Sequence, residues 1–230
     1  MNSTSNTLDP RFTGAPRVNQ ALAARMEKQV LEWMARRAPQ CVTSDYLTAL
    51  GFGAQIGAGV FYALARFNRL ALLLVIVCLA LNWLGDSLDG TLARVRRRQR
   101  PRYGFYVDHM ADVFGAVALM CGLGCSGFLH WPVAVAMLIA FLVLSSESYL
   151  ATYTLARFQL SQGAFGPTEI RLLLVAGNLA LLRSPYCTIF GHRFLLFDVG
   201  GILAAGIMLA MAVAVTLRHI AQLYREERLP

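Results

Sequence analysis

Charge is what this chain is short of. Asp, Glu, Lys and Arg make up 15% of its 230 residues while apolar residues make up 57%. That is too little charge for a soluble domain of this length, and it is the balance of a polytopic membrane protein. Acids are the scarcer sign, with 13 Asp and Glu against 21 Lys and Arg and a net charge of +8. The arginines gather beside apolar runs, so the excess reads as membrane topology. No basic, aromatic-interleaved segment lies outside those runs, which excludes nucleic acid as a partner. Cysteine is sparse and odd in number: Cys41, Cys78, Cys121, Cys125 and Cys187 offer neither a Cys-x-x-Cys pair nor Cys/His metal spacing. This excludes a disulfide framework and a zinc site. The N-terminus lacks the basic-then-apolar layout of a secretory signal, so insertion through internal spans is expected. No internal repeat or low-complexity tract divides the chain, which predicts a single membrane domain.

What is present is a series of apolar runs. Residues 1–15 are rich in Ser, Thr, Asn, Pro and Gly and read as a disordered leader. Residues 16–40 carry Val18, Leu22, Met26, Val30, Leu31 and Met34 near helical spacing, with Arg25, Glu27, Lys28 and Glu32 between them. This predicts an amphipathic helix, lying either on an anionic membrane surface or against the protein's own loops. Residues 41–230 then form the expected six-span domain. A first span capped by Thr43 or Ser44 runs to about Ala65 and is rich in glycine, which permits close helix packing. Further spans are expected near residues 69–93, 106–128, 131–158, 168–182 and 196–218. The fold class is therefore all-α: six transmembrane helices plus an N-terminal interfacial helix. Arg94, Arg96, Arg97, Arg98, Arg100 and Arg102 fall on one face with the basic residues of both termini, with Arg157 and with Arg171. The other face has only Arg66, Arg69, Arg183 and Arg193. The first face, with both termini, is thus expected in the cytoplasm, which means the plasma membrane if the source is bacterial.

Into this apolar setting the sequence places four acids. Asp86 and Asp89 are three apart, and Asp108 and Asp112 are four apart across a basic connection. On helices each pair projects from one face. An ionised carboxylate deep in a bilayer costs roughly 2.5–3.5 kcal/mol on insertion scales, so an uncompensated group of four would not insert stably. Oxygen ligands with no competing His or Cys cluster suit two hard divalent ions, Mg²⁺ or Mn²⁺, which could in turn carry a diphosphate. Asn82, one turn before Asp86, is placed to orient its carboxylate or to make an interhelical hydrogen bond.

The residues from Asp86 to Asp112 read Asp-x2-Asp-Gly-x2-Ala-Arg, a spacer, and Gly-x3-Asp-x3-Asp. This resembles the signature of the CDP-alcohol phosphotransferase (phosphatidyltransferase) family, with all eight specified positions filled. The nine-residue spacer Val95–Tyr103 is longer than usual for the family by about one residue, a change that costs little closure entropy. The resemblance implies a CDP-linked donor, an alcohol acceptor, membrane lipids as surroundings or substrates, and release of CMP. It implies Asp86, Asp89, Asp108 and Asp112 as metal ligands, with Asp112 also the base for the acceptor hydroxyl and His109 as its alternative. It further implies Asp89, Gly90, Ala93, Arg94 and Gly104 on the nucleotide and donor side, and a homodimer. Ser44 to Thr48 resembles the family's first span, with Asp45 where Asn is expected, which places Thr48 near the nucleotide. On the acceptor side the polar candidates are Glu147, Tyr149, Glu169 and Arg171, while Asn178, Asp198 and His219 read as structural. Transfer to diacylglycerol, as in choline/ethanolamine-type members, stays open. Two other classes use intramembrane acids, namely prenyltransferases and cation transporters, but neither needs Gly90, Ala93, Arg94 and Gly104 at these spacings.

Overall fold

The computed structural model describes residues 24–155 and 167–227. Among these residues the elements are α1 (Ala24–Arg37), α2 (Ser44–Ala65), α3 (Ala71–Val95), α4 (Pro101–Cys125), α5 (Trp131–Leu155), α6 (Pro167–Arg183), a hairpin of β1 (Tyr186–Ile189) and β2 (His192–Leu195), and α7 (Leu196–Glu226). Five of the helices, α2, α3, α4, α5 and α7, are long and apolar enough to cross a membrane. The leader, the first part of the amphipathic segment, and Arg157 and Phe158 of the expected fourth span lie outside the described residues. The expected fifth span is present as α6, but with 17 residues it rises only about 25 Å. That is short of the roughly 30 Å hydrocarbon core.

Local chemistry sets the helix ends. The Thr43 hydroxyl accepts from the Tyr46 N–H at 3.3 Å and caps α2. Pro101 opens α4, where its missing N–H costs nothing. α3 ends in a Schellman arrangement: Arg97 takes φ +54°, and the N–H groups of Arg97 and Arg98 donate to the carbonyls of Arg94 and Ala93. Arg96 then donates from its guanidinium to the carbonyls of Val42, Ala38 and Pro39, pinning this end of α3 to the α1–α2 connection. Arg96 is therefore a clamp within the protein as well as a topology charge.

The first span is the hub. α2 packs along both α3 and α4, whereas α3 and α4 touch each other little. Glycine makes both contacts close. A methyl group on Gly85 of α3 would sit 2.5 Å from the Leu47 carbonyl oxygen of α2, and one on Gly122 of α4 would overlap the Gly59 carbonyl of α2. Around these contacts Ala58, Tyr62, Leu72, Val75, Leu119 and Leu123 form the buried core. The remaining helices close around it, α5 on α4, α7 on α5 and α6 on α3.

α1 packs on the protein itself, against α2 and α3. Leu31 and Ala35 are buried with Leu47, Leu88 and Leu92, while Val30 and Trp33 stay exposed. Its polar fastening is Glu27, whose Oε1 accepts from Trp83 Nε1 at 2.8 Å, Ser87 Oγ at 3.2 Å and Thr168 Oγ1 at 3.0 Å. One carboxylate therefore holds α1, α3 and α6 together.

Two outcomes follow. Gly122→Ala is expected to cost about 3 kcal/mol or more, above the usual 1–3 kcal/mol of overpacking, because the opposing atoms are backbone. Gly206→Ala, which faces open space, should leave the unfolding midpoint unchanged or raised. Glu27→Ala should cost about 1–3 kcal/mol by stranding the Trp83 indole N–H, and Glu27→Gln less, since its amide oxygen still accepts. Trp83 fluorescence during unfolding reads the second pair.

Candidate active site

Four acids from two helices line one pocket. Asp86 and Asp89 stand near the C-terminal end of α3, and Asp108 and Asp112 stand in the second and third turns of α4; the other lining residues are Thr48, Gly51, Phe52, Gln55, Asn82 and Ala111. The floor between the acid pairs is therefore α2, which explains how helices that hardly touch can share a site.

Each acid of α3 is held by a neighbour. Asp89 Oδ2 accepts from the Thr48 hydroxyl at 2.6 Å, and its Oδ1 takes the N–H of Gly90. Thr48 also lies 3.1 Å from the Ser44 carbonyl, but it has one proton and the shorter bond goes to the carboxylate. Ser44 adds a bond to the Asp89 carbonyl oxygen at 3.1 Å. Asp86 Oδ2 accepts from Arg171 Nη2 at 2.6 Å, with side-chain exposures of 26% and 15% for the two partners. Arg171 Nε donates at 2.8 Å to Asn82 Oδ1, and Asn82 Nδ2 donates at 3.0 Å to the Gly51 carbonyl. Asn82 thus reaches Asp86 through a shared arginine and ties α3 to both α2 and α6. Arg171 Nη1 is buried and has no hydrogen-bond partner among the described residues.

On α4, His109 stacks on Phe105 with ring centroids 4.1 Å apart and meets Tyr149 of α5 edge-on at 4.9 Å. Its Nδ1 lies 2.6 Å from the Phe105 carbonyl. A carbonyl only accepts, so Nδ1 carries the proton and Nε2 is the nitrogen able to take one.

The other expected site residues are placed as follows. Gly90, Ala93 and Arg94 continue α3 beyond Asp89 outside the pocket lining, and Arg94 donates to the Gly90 carbonyl and the Thr91 hydroxyl of its own helix at 3.1 Å each. Gly104 is exposed in the first turn of α4, with open space where a side chain would be. Of the acceptor-side candidates, Arg171 is brought to the pocket and Tyr149 to His109. Glu147 is instead bound to His219 Nδ1 of α7 at 2.6 Å, and Glu169 lies in the first turn of α6. The structural readings of Asn178 and Asp198 fit their partners, the Tyr62 hydroxyl at 2.8 Å and His130. Sequence reasoning missed Phe52, Gln55 and Glu27. A lone glutamine inside an apolar span was the signal available for Gln55. Outside the spans, Arg100 pairs with Asp45, whose carboxylate raises the arginine's pKa.

The chemistry of the pocket is that of a hard-cation site, since every acidic donor is oxygen. Among the described residues no three acids already stand in an arrangement that would hold an ion. The protein supplies the reason in part: Arg171 and Thr48 draw the α3 carboxylates toward themselves. The donor set nonetheless fits a divalent ion, because its four acids flank one opening and the cation now at Asp86 is a side chain.

The family model for CDP-alcohol phosphatidyltransferase matches residues 41–218. Among solved structures, the chain is similar to the Mycobacterium tuberculosis phosphatidylinositol phosphate synthase with CDP-DAG bound. That likeness has a TM-score of 0.50 at 18% identity, over 87% of this chain and 92% of that one. No curated protein matches. The match of the family model over most of the chain, with the acids of its signature gathered in one pocket, places the protein: it belongs to the CDP-alcohol phosphatidyltransferase family and is a CDP-alcohol phosphotransferase.

Proposed function

We propose that the pocket transfers a substituted phosphate, phosphatidyl or phospho-alcohol, from a CDP-linked donor to an acceptor hydroxyl with release of CMP, and that the reaction depends on Mg²⁺ or Mn²⁺. The observation that carries this reading is the common pocket of Asp86, Asp89, Asp108 and Asp112. These four carboxylates would hold the ions, two by the donor count. When bound, the metal supplies positive charge to the diphosphate, stabilising the departing CMP oxygen and polarising the phosphorus under attack.

The chain's own residues do the rest. The acceptor oxygen forms a bond to the phosphorus that bears the alcohol. The bond from that phosphorus to the CMP oxygen breaks, and CMP leaves with the electron pair. The hydroxyl proton passes to Asp112, or to His109 Nε2, whose ring Phe105 and Tyr149 hold in place. Thr48 fixes the Asp89 carboxylate by its hydroxyl, and Arg171 with Asn82 fixes Asp86. Gly90, Ala93, Arg94 and Gly104 are read as the donor side, small residues admitting the nucleotide and Arg94 gripping a phosphate once it leaves its own helix. Glu147, Tyr149, Glu169 and Arg171 are read as the acceptor side, with Arg171 bonded to Asp86 and Tyr149 against His109. Transfer to diacylglycerol is the second reading, favoured by His109, which also follows the first Asp of this pair in choline/ethanolamine-type relatives.

In this reading α6 is the fifth of six spans, the pocket and both termini face the cytoplasm, and two copies of the chain associate. The positive-inside distribution of arginine supports the orientation.

Purified protein with a panel of CDP-donors and acceptors is expected to release CMP with Mg²⁺ or Mn²⁺ and to stop on chelation. Asp89→Asn keeps an oxygen for Thr48 but removes a charge, and should reduce CMP release to background. Arg171→Gln should destabilise the metal-free protein by about 1–3 kcal/mol, less than for a fully buried pair, by leaving Asp86 without its cation. Added Mn²⁺ should restore the unfolding midpoint of that variant more than it raises the parent's. Equal shifts in the two proteins would disconnect Arg171 from the ion site.

A further inference from the structure

We propose that the hairpin of residues 186–195 is a membrane anchor, seated with its aromatic tip among the lipid headgroups on the face opposite the carboxylate pocket. The inference is independent of the reaction chemistry.

Position comes first. Arg171, near the start of α6, reaches Asp86, so α6 begins at the pocket end of the bundle and runs away from it. Arg183 ends α6, and the hairpin joins it to α7 at the far end. α6 rises about 25 Å against a core of roughly 30 Å, the short end of what spans a bilayer, so a segment directly after it falls at the far interface. A hairpin suits this depth, since Tyr186 to Ile189 pair with His192 to Leu195 and satisfy much of their own backbone. The Leu196 N–H closes the base on the Pro185 carbonyl at 2.9 Å.

The tip is the second observation. Phe190 and Gly191 form a two-residue turn with φ of +51° and +83°, a geometry for which Asn-Gly is the favoured pair. A phenylalanine here accepts backbone strain that Asn or Gly would relieve. Its ring is 98% exposed, so contacts inside this chain do not offset that strain. Burial of the ring in lipid would.

The flanks agree. Arg193 stacks its guanidinium 5.0 Å from the Tyr186 ring centroid, and Tyr186 and Phe194 are exposed. Exposed aromatics also mark the other two turns at this end, with Phe67 after α2 and Trp131 at the start of α5. Aromatic rings with nearby arginine are what a headgroup layer selects, ring toward the acyl chains and cation toward phosphate. The hairpin therefore continues a belt that the spanning helices already carry.

The test uses the full chain in vesicles of phosphatidylcholine and phosphatidylglycerol, with a benzoylphenylalanine photocrosslinker at position 190. Leu203, exposed on α7, serves as the lipid-facing control, and Arg98, in the α3–α4 connection, as the water-facing one. Lipid adducts at 190 comparable to those at 203 and well above those at 98 are expected. A protein adduct as the main product, whether a second copy or another chain, or a yield no higher than at 98, overturns the proposal. Phe190→Asn provides an independent arm, because Asn is at home in the left-handed turn and keeps the hairpin. The anchor requires its unfolding midpoint in vesicles to fall by a few degrees, roughly. An unchanged or raised midpoint shows the ring to be only a strained turn residue and overturns the proposal as well.

Discussion

The architecture depends on two places where helix backbones meet without side chains between them. Gly85 lets α3 press against the Leu47–Gly51 turn of α2, and the Gly59–Gly122 pair lets α4 do the same on another side. In lipid no hydrophobic force drives helices together, so association rests on close packing of this kind and on interhelical hydrogen bonds. Both are present at α2: the glycine contacts, and Asn82 donating to the Gly51 carbonyl beside one of them. Because α3 and α4 find α2 and not each other, their acid pairs end up on opposite sides of a strip made by Thr48, Gly51, Phe52 and Gln55. The opening between the acid pairs follows from that indirect contact, since direct α3–α4 packing would close it.

The same arrangement has to manage negative charge. The protein meets part of the cost with fixed groups: a guanidinium at Asp86 and a hydroxyl at Asp89. Arg171 is the right residue for this, because its planar fork can hold Asn82 and Asp86 at once. Its third nitrogen, buried without a partner among the described residues, is a polar group whose desolvation those residues leave uncompensated.

How much of this was legible in the sequence follows the range of the interaction concerned. The acid spacings, the Thr43 cap, the ends of α3 and the start of α7 are local and could be read directly, whereas α7 runs on to Glu226, past the expected end at Arg218. That α2 would pack closely was readable from its glycines, but not which glycine met which helix: Gly53 faces open space, whereas Gly51 and Gly59 face backbone. Long-range partners were out of reach. Glu27 looked like one charge among several on an amphipathic helix, and nothing nearby in sequence points to Trp83, Ser87 and Thr168. Glu147 looked substrate-facing because its partner, His219, lies 72 residues on. Arg171 was expected on the same face as the acids, but its bond to Asp86 depends on how α6 leans on α3. The hairpin hid because two four-residue strands around Phe-Gly give too short an alternation to stand out beside long apolar runs.

The two ends of the bundle therefore answer to different physics, and the shortness of α6 connects them. At the pocket end α6 is held by Arg171 and by the Thr168–Glu27 bond, both polar and both requiring fixed depth. A helix pinned there and at the short end of spanning length brings the segment after it to the far interface. Either the bilayer thins around it or the next segment works at the interface. Residues 186–195 fold as a self-paired hairpin in place of a polar loop, with tyrosine, phenylalanine and arginine outward. That composition favours the second solution. It leaves the depth of α6 set by the pocket while the hairpin absorbs the mismatch.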